Sequence, residues 1–169
     1  MGAASRRDLN VVKGSDVHPK RGYLQLRKGR RSIPKHYYLI TTKTYQRTPF
    51  LRHDASAQVV LGAANWLDQN GRSFMDTIVI MTDHVHLLGQ LEDQPLEKIM
   101  QQFKSFTSKK IGRLLHQTGS VWQKGYHDHA VRRDEDLDQI RMYCLNNPVR
   151  ARIVDNFHDY PYWYSRWNV

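Results

Sequence analysis

The feature that most constrains this 169-residue sequence is the way two hydrophobic periods alternate along it. Between Asp54 and Gln69 the apolar positions Ala57, Val60, Leu61, Ala64 and Leu67 recur at helical spacing, and Asn70-Gly71 closes the run with a C-terminal stop. Ahead of it, His36 to Thr44 is rich in Tyr and Thr and reads as a first strand. Behind it come two short runs, Phe74 to Met81 and His84 to Leu91, with Thr82-Asp83 at a turn between them, which is the pattern of a hairpin. Pro95 opens a second helical segment in which Leu96, Ile99, Met100, Phe103, Phe106, Ile111, Leu114 and Leu115 keep the period until Gly119. Val121 to Arg132 reads as a mixed final strand with its approach loop, and Asp134 offers an N-cap for a helix running to about Asn147, before Pro148. The order β-α-β-β-α-β plus a further helix predicts an α+β fold, a ferredoxin-like antiparallel sheet with helices on one face and a C-terminal helix that carries Tyr143. Pro148 to Val154 reads as a short helix, and the aromatic tail from Tyr160 to Trp167 is expected to pack on the body.

A chain of this length, 40% hydrophobic, fits one globular domain and leaves no room for a second full one. Its formal charge of +10 is unevenly placed: residues 1–35 hold 10 of the 26 Lys and Arg but only 2 of the 16 acidic residues. The excess is therefore an N-terminal property, and such an arm favours a polyanion. Residues 1–33 are read as a basic DNA-binding arm and 34–169 as the domain body. A solubilising leader is the alternative, but Tyr23, Leu24 and Leu26 precede the cluster Arg27, Lys28, Arg30 and Arg31, and an apolar run follows directly. Cys144 is the single cysteine, which excludes an internal disulfide framework. The absence of a secretory apolar region or a membrane-spanning run makes a bacterial-type cytoplasmic setting, with no membrane partner, the expectation.

Chemistry is concentrated in Met81-Thr82-Asp83-His84-Val85-His86, where two histidines occupy alternate positions of a predicted strand and so share a face. At roughly 3.3 Å per residue their backbones stand about 6.6 Å apart, close enough for two imidazoles to converge on one cation. The spacing alone proves little, because with 9 histidines in 169 residues about half a His-x-His pair arises by chance. His127 and His129 form a rival pair, and for either one hydrogen-bonded surface histidine is a sufficient account. The first pair has the stronger context, at the end of an apolar strand held at the sheet centre, with the rigidity a catalytic metal needs. Two imidazoles leave positions open for an oxygen ligand, water and a phosphate, which suits Mg²⁺ or Mn²⁺ acting on a phosphodiester. Tyr143 and Asn147, four residues apart on the last predicted helix, project from one face: a phenol oxygen can attack phosphorus and an amide oxygen can complete a metal shell. Local accounts compete here too, since Tyr143 could pack on the sheet and Asn147 could cap a helix before Pro148. On the second helix Lys104, Lys109 and Lys110 belong to a basic side that is either solvated or lines a phosphate path, to which Lys35 adds at the arm's end.

Three stretches, Met81 to His86, Val121 to Arg132 and Tyr143 to Val149 (Tyr-Cys-Leu-Asn-Asn-Pro-Val), together resemble the REP-associated tyrosine transposases, named for repetitive extragenic palindromes. The resemblance covers about Leu26 to Trp167 and extends to the IS200/IS605-type single-tyrosine (Y1), paired-histidine (HUH) transposases. It implies a ferredoxin-like core, a metal held by His84 and His86 with Asn147 as third ligand, and Tyr143 as the nucleophile that forms a 5′-phosphotyrosine link. It also implies a DNA substrate, a palindromic hairpin with a flanking single strand, cleaved and rejoined by transesterification; the sequence leaves a monomer and a homodimer equally open. Two other readings remain open from the residues alone: a non-catalytic nucleic-acid-binding module, and a metal-dependent nuclease in which water attacks and Tyr143 is structural.

Overall fold

The computed structural model describes residues 32–169. Strands β1 (Tyr37–Lys43), β2 (Ser73–Ile80), β3 (His84–Leu91), β4 (His127–Ala130) and β5 (Trp163–Ser165) form an antiparallel sheet in the order β4-β1-β3-β2-β5. The first four strands have the ferredoxin-like arrangement: β3 lies between β1 and β2, antiparallel to both, so each helical crossover skips a strand. Helices α1 (Asp54–Gln69) and α2 (Leu96–Leu114) are those crossovers. Their apolar stripes, Ala57, Val60, Ala64 and Leu67 from α1 and Ile99, Met100, Phe103 and Ile111 from α2, join Ile40, Ile78, Ile80, Val85 and Leu87 of the sheet in the main core. Fully burying each large side chain contributes about 1.5–3 kcal/mol, which is why these amphipathic segments settle on the sheet.

Alternation along the strands leaves the other face to different partners. His86 is registered with Thr41 on one side and Val79 on the other, so the three share that face. Val79 belongs to a second apolar cluster with Met81, Cys144, Leu145, Phe157 and Tyr160. Helix α3 (Leu137–Leu145) therefore covers the sheet face opposite α1 and α2, and it is the face that carries the histidines. A β-bulge between Met75 and Thr77 makes this possible. Met75 and Ile78 both enter the main core although they are three residues apart, which needs one extra residue between them; that residue, Asp76, is turned toward α3.

Three boundaries differ from the sequence expectation. The final strand is short, His127–Ala130, because residues 121–126 approach it as a loop whose only β-bridge among the described residues is Thr44 to Trp122, with Val121 and Trp122 buried in the main core. The third helix is capped by Asp136, whose side chain accepts from the Asp138 and Gln139 amides, rather than by Asp134. It also stops at Leu145: Asn146 has φ −79° and ψ 5°, and Asn147 opens a separate four-residue helix, α4 (Asn147–Arg150), with Pro148 in its first turn. Tyr143 and Asn147 are thus not on one continuous helix. In the tail, Trp163–Ser165 adds a fifth strand to the edge of β2, a pairing with no periodic signal in so short a run. Among the described residues no helix is long and apolar enough to cross a membrane.

The central strand has little tolerance at Gly89, where a Cβ would stand 2.8 Å from the carbonyl oxygen of Phe74 on β2. Gly89→Ala is expected to lose about 1–3 kcal/mol of stability in a denaturant titration, because the clash is with backbone rather than a movable side chain. Unchanged stability would mean that β2 and β3 separate there without cost.

Candidate active site

His84 opens β3 and His86 follows on the same face, with their rings edge to face and centroids 5.0 Å apart. Each ring is oriented by its Nδ1. His84 Nδ1 donates to Asp83 Oδ1 at 2.6 Å, and Asp83 Oδ2 accepts from Arg47 Nε at 2.8 Å. His86 Nδ1 is hydrogen-bonded to Thr41 Oγ1 at 3.0 Å. A ring held through Nδ1 presents Nε2 as its lone-pair donor, the arrangement by which proteins prepare imidazoles for a cation. Burial lowers the pKa of His84, outweighing the opposing hydrogen bond it donates to Asp83. Burial also holds His86 down at about 3, helped by the charges of His84, Arg150 and Lys43. Both rings are therefore neutral near pH 7, the form that ligates metal.

The support behind Asp83 is local. Its carbonyl accepts from the Thr44 amide at 2.9 Å and from Thr44 Oγ1 at 3.0 Å. The turn after β1 places Gln46 and Arg47 at φ 51° and 58°, in the left-handed region that costs a residue with a side chain roughly 1–2 kcal/mol. That strain is offset where it is useful, since the turn is what sets Arg47 against Asp83.

On α3 the buried residues are Arg141, Cys144 and Leu145, and Tyr143 is about half exposed. Tyr143 is thus not packed into the sheet. Asn147 is buried and spans the helix break: Nδ2 donates to the Cys144 carbonyl at 2.9 Å and the Tyr143 carbonyl at 3.3 Å, and Oδ1 accepts from Arg150 Nη2 at 2.7 Å. The cap position is Asn146 rather than Asn147, which opens α4, but the Asn147 amide still donates to the last carbonyls of α3; this leaves Asn147 Oδ1 as the atom with ligating capacity, since a carbonyl oxygen has two lone pairs. Arg150 also places its guanidinium over the Tyr143 ring, 3.9 Å from the centroid, and donates from Nη1 to the Tyr143 carbonyl at 3.2 Å. Among the described residues no group of three His, Cys, Asp or Glu is placed to hold a metal, so a cation at the pair would draw its remaining ligands from an amide, water or phosphate.

The positions read as DNA contacts divide. Arg27, Lys28, Arg30 and Arg31, with Tyr23, Leu24 and Leu26, lie outside the described residues. Lys35 is ion-paired with Glu92. Lys104 is turned inward, donating to the carbonyls of Gln123 at 2.5 Å and Gly125 at 2.7 Å, and burial lowers its pKa to about 8. Its ammonium thus ties α2 to the loop before β4. Lys109 and Lys110 are exposed on α2, Lys110 beside the Phe106 ring, on the helix layer opposite the histidine face. Of the rival histidines, His129 Nε2 is engaged by Glu135 at 2.8 Å, and β4 is a sheet edge. Sequence reasoning missed Asp83, Arg47, Thr41 and Arg150. Asp83 and Arg150 had usable signals, an acid adjacent to the first histidine and a cation three residues beyond Asn147.

The chain is thus a ferredoxin-like sheet with a His-x-His pair on its central strand and a tyrosine-bearing helix over the same face. The chain belongs to the family described as "Transposase IS200 like", whose model matches residues 32–147. A Haemophilus influenzae protein provisionally named a REP-associated tyrosine transposase is 29% identical over 96 residues, half of this chain. The match spans 54% of that relative's length. Among solved structures, a REP-associated tyrosine transposase bound to a REP hairpin superposes with a TM-score of 0.65 at 20% identity, over 79% of each chain. A provisionally assigned transposase from Deinococcus radiodurans R1 superposes with a TM-score of 0.50 at 21% identity, over 71% of this chain and 96% of that one.

Proposed function

We propose that this protein cleaves and rejoins DNA at REP-like hairpins with a flanking single strand, through a 5′-phosphotyrosine intermediate on Tyr143. The observation that carries the reading is the pair of neutral imidazoles, each locked through Nδ1 by Asp83 or Thr41, on the sheet face that α3 covers. Ordinary surface histidines need no such double bracing. The family resemblance and the hairpin bound by a structural relative supply the substrate class.

Tyr143 Oη attacks the scissile phosphorus in line, the phenol proton passes to solvent or a nearby base, and the 3′-hydroxyl leaves. A 3′-hydroxyl from another end reverses the step, so the phosphodiester energy is retained and no nucleotide is consumed. His84 Nε2, His86 Nε2 and Asn147 Oδ1 would hold a divalent cation, Mg²⁺ or Mn²⁺, which supplies Lewis-acid polarisation of the phosphate. The basic arm, residues 1–33, would bind phosphates of the hairpin, while Lys35, Lys109 and Lys110 add weaker contacts away from the reacting strand.

Incubating the protein with end-labelled hairpin DNA and Mn²⁺, then denaturing, tests this directly. A covalent protein–DNA adduct is expected. Cleavage without an adduct would mean a water-using nuclease, and binding without cleavage a recognition module.

The metal assignment has a test independent of activity. Mn²⁺ at about 100 times its dissociation constant should raise the unfolding free energy by about 2.7 kcal/mol, seen as a melting shift of several degrees. His84→Ala should abolish that shift while leaving hairpin affinity nearly unchanged, because a neutral ring contributes little charge to DNA binding. An equal shift in the variant would remove His84 from the ligand set.

A further inference from the structure

We infer that Arg150 is a positioning residue for Tyr143, the group that holds the phenol in its attacking orientation; this rests on the reading of Tyr143 as nucleophile. Tyr143 is half exposed, and a helix-surface tyrosine with no enclosing pocket ordinarily samples several side-chain rotamers. Here one face of the ring is covered by a guanidinium at 3.9 Å. That guanidinium is itself fixed from two directions, by the Tyr143 carbonyl through Nη1 and by Asn147 Oδ1 through Nη2. Asn147 in turn is buried and hydrogen-bonded to the Cys144 carbonyl. The clamp therefore runs from the buried end of α3 through Asn147 and Arg150 to the exposed ring, and it ties the two sides of the break at Asn146 into one unit.

The chemistry needs a planar fork. Two separate acceptors and a ring face must be served at once, which a guanidinium does and an ammonium, with its compact charge, does not. Reactions of this kind are sensitive to aim, since a displacement near 1 Å of a reacting group can cost about 100-fold in rate. Arg150 is exposed and outside both apolar clusters, so replacing it should not endanger folding.

The test compares the parental protein with Arg150→Met and Arg150→Lys in single-turnover adduct formation at saturating hairpin DNA, alongside hairpin affinity as a function of salt. A second measurement follows the fluorine resonance of 3-fluorotyrosine at position 143, assigned by its disappearance in Tyr143→Phe. The expected result is a rate about 10- to 100-fold lower in Arg150→Met and only partly recovered in Arg150→Lys, with affinity within about 2-fold of parental and a shifted Tyr143 resonance in both variants. An unchanged rate and resonance would overturn the inference while leaving the nucleophile assignment intact. A parental rate with weaker binding and a salt slope reduced by about 1 would make Arg150 a phosphate contact instead, which also overturns it. Failure of the parental protein to form any adduct removes the nucleophile assignment, and this inference with it.

Discussion

Tyr143→Phe is expected to leave a folded protein that binds hairpin DNA and Mn²⁺ but neither cuts the strand nor becomes attached to it. Phenylalanine keeps the ring, and the contacts described for Tyr143 use the ring face and the backbone carbonyl: Arg150 stacks on the first and donates to the second. The side chain is half exposed and outside the apolar clusters, so stability should change by less than about 0.5 kcal/mol. What disappears is the nucleophile, and removing a covalent nucleophile typically lowers turnover by on the order of 10⁴-fold or more. A nuclease that activates water behaves differently, since it would still cut after this change and would leave no adduct in the parental protein either. Mass spectrometry of the parental reaction should place a nucleotide phosphate on the peptide containing Met142, Tyr143 and Cys144. An adduct found on Tyr37, Tyr38 or Tyr126, or strong cutting by the Phe variant, would take the nucleophile away from Tyr143.

The second large effect is on stability and comes from the charge pair that fastens α3 to the sheet. Arg141 donates through Nε to Asp76 Oδ1 and through Nη2 to Asp76 Oδ2, both at 2.8 Å. Trp167 Nε1 and Thr77 Oγ1 donate to the same carboxylate, also at 2.8 Å, and Asp76 is fully buried. Burial alone would raise the Asp76 pKa, but the hydrogen bonds from Arg141, Trp167 and Thr77 outweigh it and hold the group below the usual carboxylate range. Asp76→Asn keeps the shape and leaves Arg141 only its ion pair with the exposed Asp138, at an expected cost of about 3 kcal/mol in denaturant midpoint analysis. The double variant Asp76→Leu with Arg141→Met should recover most of that loss, because two matched apolar groups leave no buried charge. A single-variant loss under about 1 kcal/mol would show that water reaches the pair.

The same pair predicts the direction of acid sensitivity. A carboxylate whose folded pKa is depressed contributes stability that is fully present above its unfolded pKa of about 3.9 and is lost as pH falls through the folded value. Asp76 should therefore protect the fold throughout the neutral range and release α3 only below about pH 4. The Asp76→Asn variant should show a flatter stability profile over that acid window.

Periodicity made the main architecture legible in the sequence. A period of 3.6 over Asp54 to Gln69 and over Leu96 to Leu115, against a period of 2 through the histidine strand, leaves few ways to bury every apolar stripe, and the split β-α-β pair is the one adopted. The histidine pair was legible for the same reason: alternate residues of a strand share a face whatever lies around them. Tertiary structure decided the rest. Which sheet face α3 would cover depended on the bulge at Asp76, a single inserted residue with no local signature that turns a carboxylate toward Arg141, 65 positions later. The third helix ends before Pro148, which has no N–H for the Cys144 carbonyl, but the fold decided that the Asn147 amide takes that carbonyl and its oxygen takes Arg150. Lys104 looked like a surface cation by spacing, yet the loop before β4 offers its ammonium two carbonyls. Hydrophobic period is a property of neighbours in sequence, so it can be read directly; the pairing of buried polar groups joins residues distant in the chain, and only the folded arrangement chooses those partners.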